Sequence, residues 1–68
     1  MNQSIVYFLT RSGETDSSAN FRIWESVGVI IDEEPDREIV IPWHRVLEIQ
    51  APPHMFASHA IQTHFVSL

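Results

Sequence analysis

Ile39-Val40-Ile41-Pro42-Trp43-His44-Arg45-Val46-Leu47-Glu48-Ile49 is the stretch that decides how this chain folds. Ile39 and Ile41 recur at the two-residue period of extended backbone, so residues 37–41 read as a strand with those side chains on one face. Pro42 has no N–H to give to a ladder and stops it. Trp43-His44-Arg45 is too short for an α-helix and fits a single 3-10 turn. Residues 46–50 resume as a short strand, in which Val46 and Ile49 stand three apart. Strand, proline-stopped corner and strand point to an all-β chain.

The flanking sequence agrees. Residues 4–10 are almost all apolar or β-branched (Ile5, Val6, Tyr7, Phe8, Leu9) and read as a strand ending at Arg11-Ser12-Gly13. Residues 14–20 are polar and serine-rich, the composition of a hairpin loop or a short mobile connection. From 21 to 31 the pattern alternates, with Phe21, Ile23, Val27, Val29 and Ile31 on one face and Glu25 as its polar member. Two readings fit this stretch. One is a long strand bent at Gly28, of the kind that curls a small sheet into a barrel. The other is a tight meander of two strands, 21–26 and 27–32. Asp32-Glu33-Glu34-Pro35-Asp36 then reads as a solvated hairpin tip whose charge also discourages edge-to-edge sheet pairing. It lacks the ligand spacing and central glycine of a calcium loop.

Length and charge narrow the function classes. At 68 residues the chain is a single domain, and a chain of this size buries only about 60% of its unfolded surface. Cysteine is absent, so disulfides and thiolate zinc sites are both excluded, and self-association is the remaining source of extra stability. No apolar run approaches the ~18 residues of a membrane span, and Met1-Asn2-Gln3-Ser4 lacks the basic region of a secretory leader. The expectation is a soluble, cytoplasmic protein with no membrane partner. Nine acidic residues face four basic ones, all four of them arginine. Such a chain cannot coat a duplex, and any grip on nucleic acid must come from a few arginines gathered locally.

The order of strand, glycine-containing loop, bent strand pair, acidic turn, strand, 3-10 turn and short strand resembles the Sm-like family of small barrels over residues 4–50. The narrow match is 39–49. His44, Val46 and Ile49 repeat the spacing that the family's bacterial RNA-chaperone branch places in its second signature, although that branch has a lysine where this chain has Trp43. The resemblance implies a five-stranded Sm-like or SH3-like barrel over residues 1–50 and a homo-oligomeric ring, pentamer to heptamer. It also implies that His44 and Arg45 face a central pore where single-stranded RNA binds. Ile41-Pro42-Trp43-His44-Arg45-Val46 is also similar to the Ile-Pro-aromatic-His-Arg-apolar motif of a small domain associated with RNA-end processing. Both resemblances point to His44-Arg45.

Trp43, His44 and Arg45 are accordingly the candidate RNA-binding residues. An aromatic plate beside two phosphate-directed donors is what a single-stranded site needs. The competing structural reading has Trp43 covering the open end of a barrel and Arg45 paired with Glu48 or Glu38. Residues 51–68 form a tail with no charged residue, expected to dock on the barrel, on a neighbouring subunit or on another protein. Phe56 and Ala60 suit a helix face, whereas Phe65, Val66 and Leu68 suit a strand. His54, His59 and His64 recur every five residues, which puts successive ones on opposite faces of a strand or roughly 140° apart on a helix, so a metal site within one chain is not expected. Gathered around a ring axis, they would make a pH-sensitive contact. No Gly-x-Ser-x-Gly elbow and no glycine-rich phosphate loop is present, so the chain is read as a non-enzyme without cofactor or metal. A protein-assembly or regulatory module without nucleic acid is the alternative function.

Overall fold

The computed structural model describes residues 4–34, 37–52 and 64–67. The described residues form seven strands: β1 (Ile5–Leu9), β2 (Thr15–Ser18), β3 (Phe21–Trp24), β4 (Gly28–Glu34), β5 (Arg37–Pro42), β6 (Val46–Ala51) and β7 (Phe65–Ser67). They make two sheets, ordered β2-β1-β6-β7 and β3-β4-β5. The chain is thus all-β, as its alternation requires, with seven strands where five were expected and two sheets that do not close on each other. Among the described residues no helix is long and apolar enough to cross a membrane.

The polar stretch after Gly13 is a strand, not a loop. Thr15-Asp16-Ser17-Ser18 has poor intrinsic β-propensity, and pairing with β1 overrides it, with Tyr7 opposite Ser17 and Leu9 opposite Thr15. Thr10 locks the connecting turn. Its N–H donates to Glu14 O at 2.7 Å, its carbonyl accepts from Gly13 N–H at 3.0 Å, and its hydroxyl accepts from Glu14 N–H at 3.1 Å. As an edge strand β2 needs no buried face, which is why its polar side chains are tolerated there.

Of the two readings for residues 21–31, the meander is the one found. β3 ends at Trp24, residues 25–27 turn, and β4 begins at Gly28, with Ile23 opposite Val29 and Phe21 opposite Ile31. The alternation survives the turn, so Val29 and Ile31 are buried with Phe21 and Ile23 beside them. Gly28 sits at φ 150°, opposite Pro42 of β5. A Cβ there would lie 2.0 Å from the Ile41 carbonyl oxygen, so only glycine lets β5 approach this closely.

The core is one cluster: Val6, Phe8, Val46, Ile49 and Ala51 from the four-stranded sheet, and Val29, Ile31 and Ile41 from the other. A β-bulge explains how Val46 and Ile49, three apart, both face inward. Tyr7 pairs with Glu48 while Phe8 pairs with Val46, so Leu47 is the extra residue and points outward, 46% exposed. In the tail, Ala51 belongs to β6, and β7 pairs with β6 in parallel, with Ile49 opposite Phe65 and Gln50 opposite Val66. Phe56, Ala60, His54, His59 and Leu68 lie outside the described residues.

Gly28→Ala is expected to destabilise the fold by more than about 2 kcal/mol, because it adds a backbone clash to the strain of positive φ. Gly13, at φ 87° with open space around it, carries the strain alone, so Gly13→Ala should cost about 1 kcal/mol. Urea unfolding of the two variants checks the difference, and equal costs would mean that Gly28 is not pressed against β5.

Candidate functional site

Pro42 closes β5, and Trp43–Arg45 forms the single 3-10 turn that the sequence suggests. The turn carries the chain from the three-stranded sheet into β6 of the other. Two hydrogen bonds anchor it to the β3–β4 connection: Trp43 N–H to Val27 O at 3.3 Å, and the indole Nε1–H to Glu25 O at 2.6 Å. The Trp43 ring is half-buried against the core and stacks on His64 at a centroid distance of 5.3 Å and an interplanar angle of 10°. His64 in turn leads into β7, and its carbonyl accepts from Ile49 N–H at 2.7 Å.

The three candidate residues therefore separate. Trp43 is committed to Glu25, His64 and the core. His44 is exposed. Arg45 is half-buried on the wall of a cleft of about 560 Å³ whose lining includes neither Trp43 nor His44. That volume falls within the roughly 300–1,000 Å³ of small-molecule sites.

Two further arginines meet Arg45 on this cleft: Arg11 from the β1–β2 turn and Arg37 from the start of β5. Asp16 and Glu38 are the carboxylates among its lining residues, and Ile39 and Val40 supply its accessible apolar wall over the buried Phe8, Ile31 and Ile41. Ile39, Val40 and Ile41 are consecutive and alternate in direction, yet all line the cleft. The cleft therefore runs along the outer edge of β5, which has β4 on its other side and no strand beyond it among the described residues.

Charge is distributed unevenly over the four arginines. Both ion pairs among the described residues belong to Arg22, which bonds Glu38 and lies 3.5 Å from Asp32. Glu38, one of the partners considered for Arg45, is thus taken by Arg22. Glu48, the other, accepts from Gln50 Nε2 at 2.6 Å. Arg45 Nε is buried with no hydrogen-bond partner among the described residues, an arrangement that costs free energy unless some acceptor meets it. Three arginines therefore line the cleft with one carboxylate, Asp16, that no cation engages among the described residues. Sequence reasoning found Arg45 and missed Arg11 and Arg37. The signal available was that all the cations of an acidic chain are arginines, but their convergence depends on hairpin geometry.

Among the described residues no three His, Asp or Glu side chains gather as metal ligands. Comparison with known families, curated proteins and solved structures finds no match, so the functional reading rests on this geometry.

Trp43→Phe keeps the apolar plate and removes the bond to Glu25 O, which should cost about 1 kcal/mol. Trp24 is 53% exposed, so Trp24→Phe should stay within about 0.5 kcal/mol of the parent. Denaturant midpoints of both variants test whether the indole ties the corner, and indistinguishable midpoints would remove that role.

Proposed function

We propose that this chain is a non-enzymatic, cytoplasmic, Sm-like barrel module that binds single-stranded RNA within a self-assembled ring, with Arg45 of the 43–45 turn as the central contact. The observation that carries the reading is that three of the chain's four arginines line one cleft in an otherwise acidic protein. Guanidinium groups are planar, permanently charged and matched to phosphate oxygens, and a low-dielectric cleft strengthens that attraction. Exposed His44 adds a donor on the same turn. Trp43 acts as the post on which the turn is mounted. The strand order supports the barrel reading, since the strand after the 3-10 turn pairs antiparallel with the first strand of the chain.

Ring assembly would use the outer edges of β2, β7, β3 or β5, the strands that end the two sheets among the described residues, because β6 already has β1 on one side and β7 on the other. The edge of β5, unpaired among the described residues, also favours a second reading, in which the chain is an assembly module and that edge accepts a strand from another protein.

Binding of a labelled oligoribonucleotide at low salt separates the two. The RNA reading expects Arg45→Ala to weaken binding about tenfold or more and to reduce the slope of log K against log salt by about 0.7, one phosphate contact on a single strand. Glu38→Gln removes a negative charge from the cleft and should tighten binding. A discrete ring mass in native mass spectrometry is expected alongside. No retention of RNA at low salt would leave the assembly reading.

A further inference from the structure

Hydrogen bonding divides the backbone of β5 between its two edges. Trp43 N–H donates to Val27 O, and in the same ladder Ile41 stands opposite Val29 and Ile39 opposite Ile31. Alternate residues of an antiparallel ladder turn both their N–H and C=O groups to one side. Ile39 and Ile41 therefore bond toward β4, while Glu38 and Val40 present theirs to the outer edge, where no described strand pairs. We infer that this edge takes an extended acidic peptide segment of a partner protein as a further strand, its carboxylates directed to Arg37 at one end of the cleft and to Arg11 and Arg45 at the other. This rests on the strand-accepting reading and specifies the chemistry of the strand.

Alternation sets the pattern of that segment. Side chains of an added strand that stand opposite Arg37, Ile39 and Ile41 point the same way as those residues and recur at every second position. Arg37 is exposed at the start of β5. Phe8 stands opposite Val46, so Arg11, on the turn after β1, lies toward the Arg45 end, and it too is exposed. Neither Arg11 nor Arg37 has an ion-pair partner among the described residues. Asp16, opposite Phe8 on β2, lies between the two ends and disfavours a carboxylate at the middle position, where Ile39 favours an apolar side chain. Glu38 does not oppose the incoming carboxylates, because it belongs to the other face of β5, where Arg22 bonds it. The favoured segment therefore reads acidic-x-apolar-x-acidic. A polypeptide answers the outward N–H and C=O groups of Glu38 and Val40 in register, whereas a sugar-phosphate chain answers only the arginines.

Nitrogen-15 NMR of the full chain at low salt tests the inference with four probes. They are the capped peptide Ser-Glu-Thr-Val-Thr-Glu-Ser, a neutral form with glutamine for both glutamates, a form with proline for both threonines, and hexauridylate. The threonines are the residues that exchange hydrogen bonds with Glu38 and Val40, so the proline form keeps the charge and loses the ladder. Near saturation the glutamate peptide should shift the Glu38 and Val40 amides and slow hydrogen exchange at Val40 about tenfold. It should bind about tenfold more tightly than the glutamine peptide, as two exposed ion pairs allow. Arg37→Gln should keep the dispersed spectrum of a folded chain and cut that preference about threefold. Equal affinity of the glutamate and glutamine peptides overturns the acidic preference while leaving strand addition intact. Equal affinity of the proline and glutamate forms overturns strand addition, and with it the inference. Amide shifts at Val40 on concentrating the protein alone make a second copy the occupant, which also overturns it. Failure of every peptide to bind overturns both, and hexauridylate binding then leaves RNA as the occupant.

Discussion

The corner at Pro42 and Trp43 holds the two sheets in their mutual arrangement. Proline ends the ladder of β5 because it lacks a donor, and the next three residues turn the chain toward β6. What fixes that turn is the indole, whose N–H reaches back to Glu25 O while its ring fills the gap beside the core. β6 can then pair with β1 on one side and accept β7 on the other, so the N-terminal and C-terminal strands are both organised around it. Gly28 contributes from below, since only a residue without Cβ allows the backbone at Ile41 and Pro42 to settle against β4. In a core of this size each such contact is a sizeable share of the net stability, because marginal stability is the rule even for larger domains.

The candidate site is a consequence of the same corner. The sheets stay separate along the outer edge of β5, and the β1–β2 hairpin faces that edge across the cleft. Arg37 enters at one end of β5, Arg45 follows the turn at its other end, and Arg11 comes from the hairpin. Meanwhile Arg22, on the outer face of the three-stranded sheet, neutralises Glu38 and Asp32. The net effect is a local concentration of cationic side chains on an acidic molecule.

Edges are handled differently around the molecule. β2 is polar along its length, and β6 is covered by β7, whereas β5 presents Val40, 47% exposed, beside a backbone edge that no described strand pairs. Exposed apolar edges of this kind are commonly covered by a partner strand or put to use in binding. The same feature therefore underlies both functional readings, and the arginines tip the balance toward an anion.

By itself the sequence determined the all-β class, the strand at 37–41, the stop at Pro42, the 3-10 turn at 43–45 and the inward face of β4. Each of these is set by local chemistry: β-branched alternation, a missing N–H, or a segment too short to be anything else. Tertiary structure decided the rest. Thr15-Asp16-Ser17-Ser18 became a strand only because β1 supplied backbone partners, and the outward turn of Leu47 required a bulge that pairing with Tyr7 and Phe8 imposes. The meeting of Arg11, Arg37 and Arg45 was hidden for the same reason. Residues far apart in sequence become neighbours through strand pairing and sheet stacking, and no local pattern encodes where those pairings bring them.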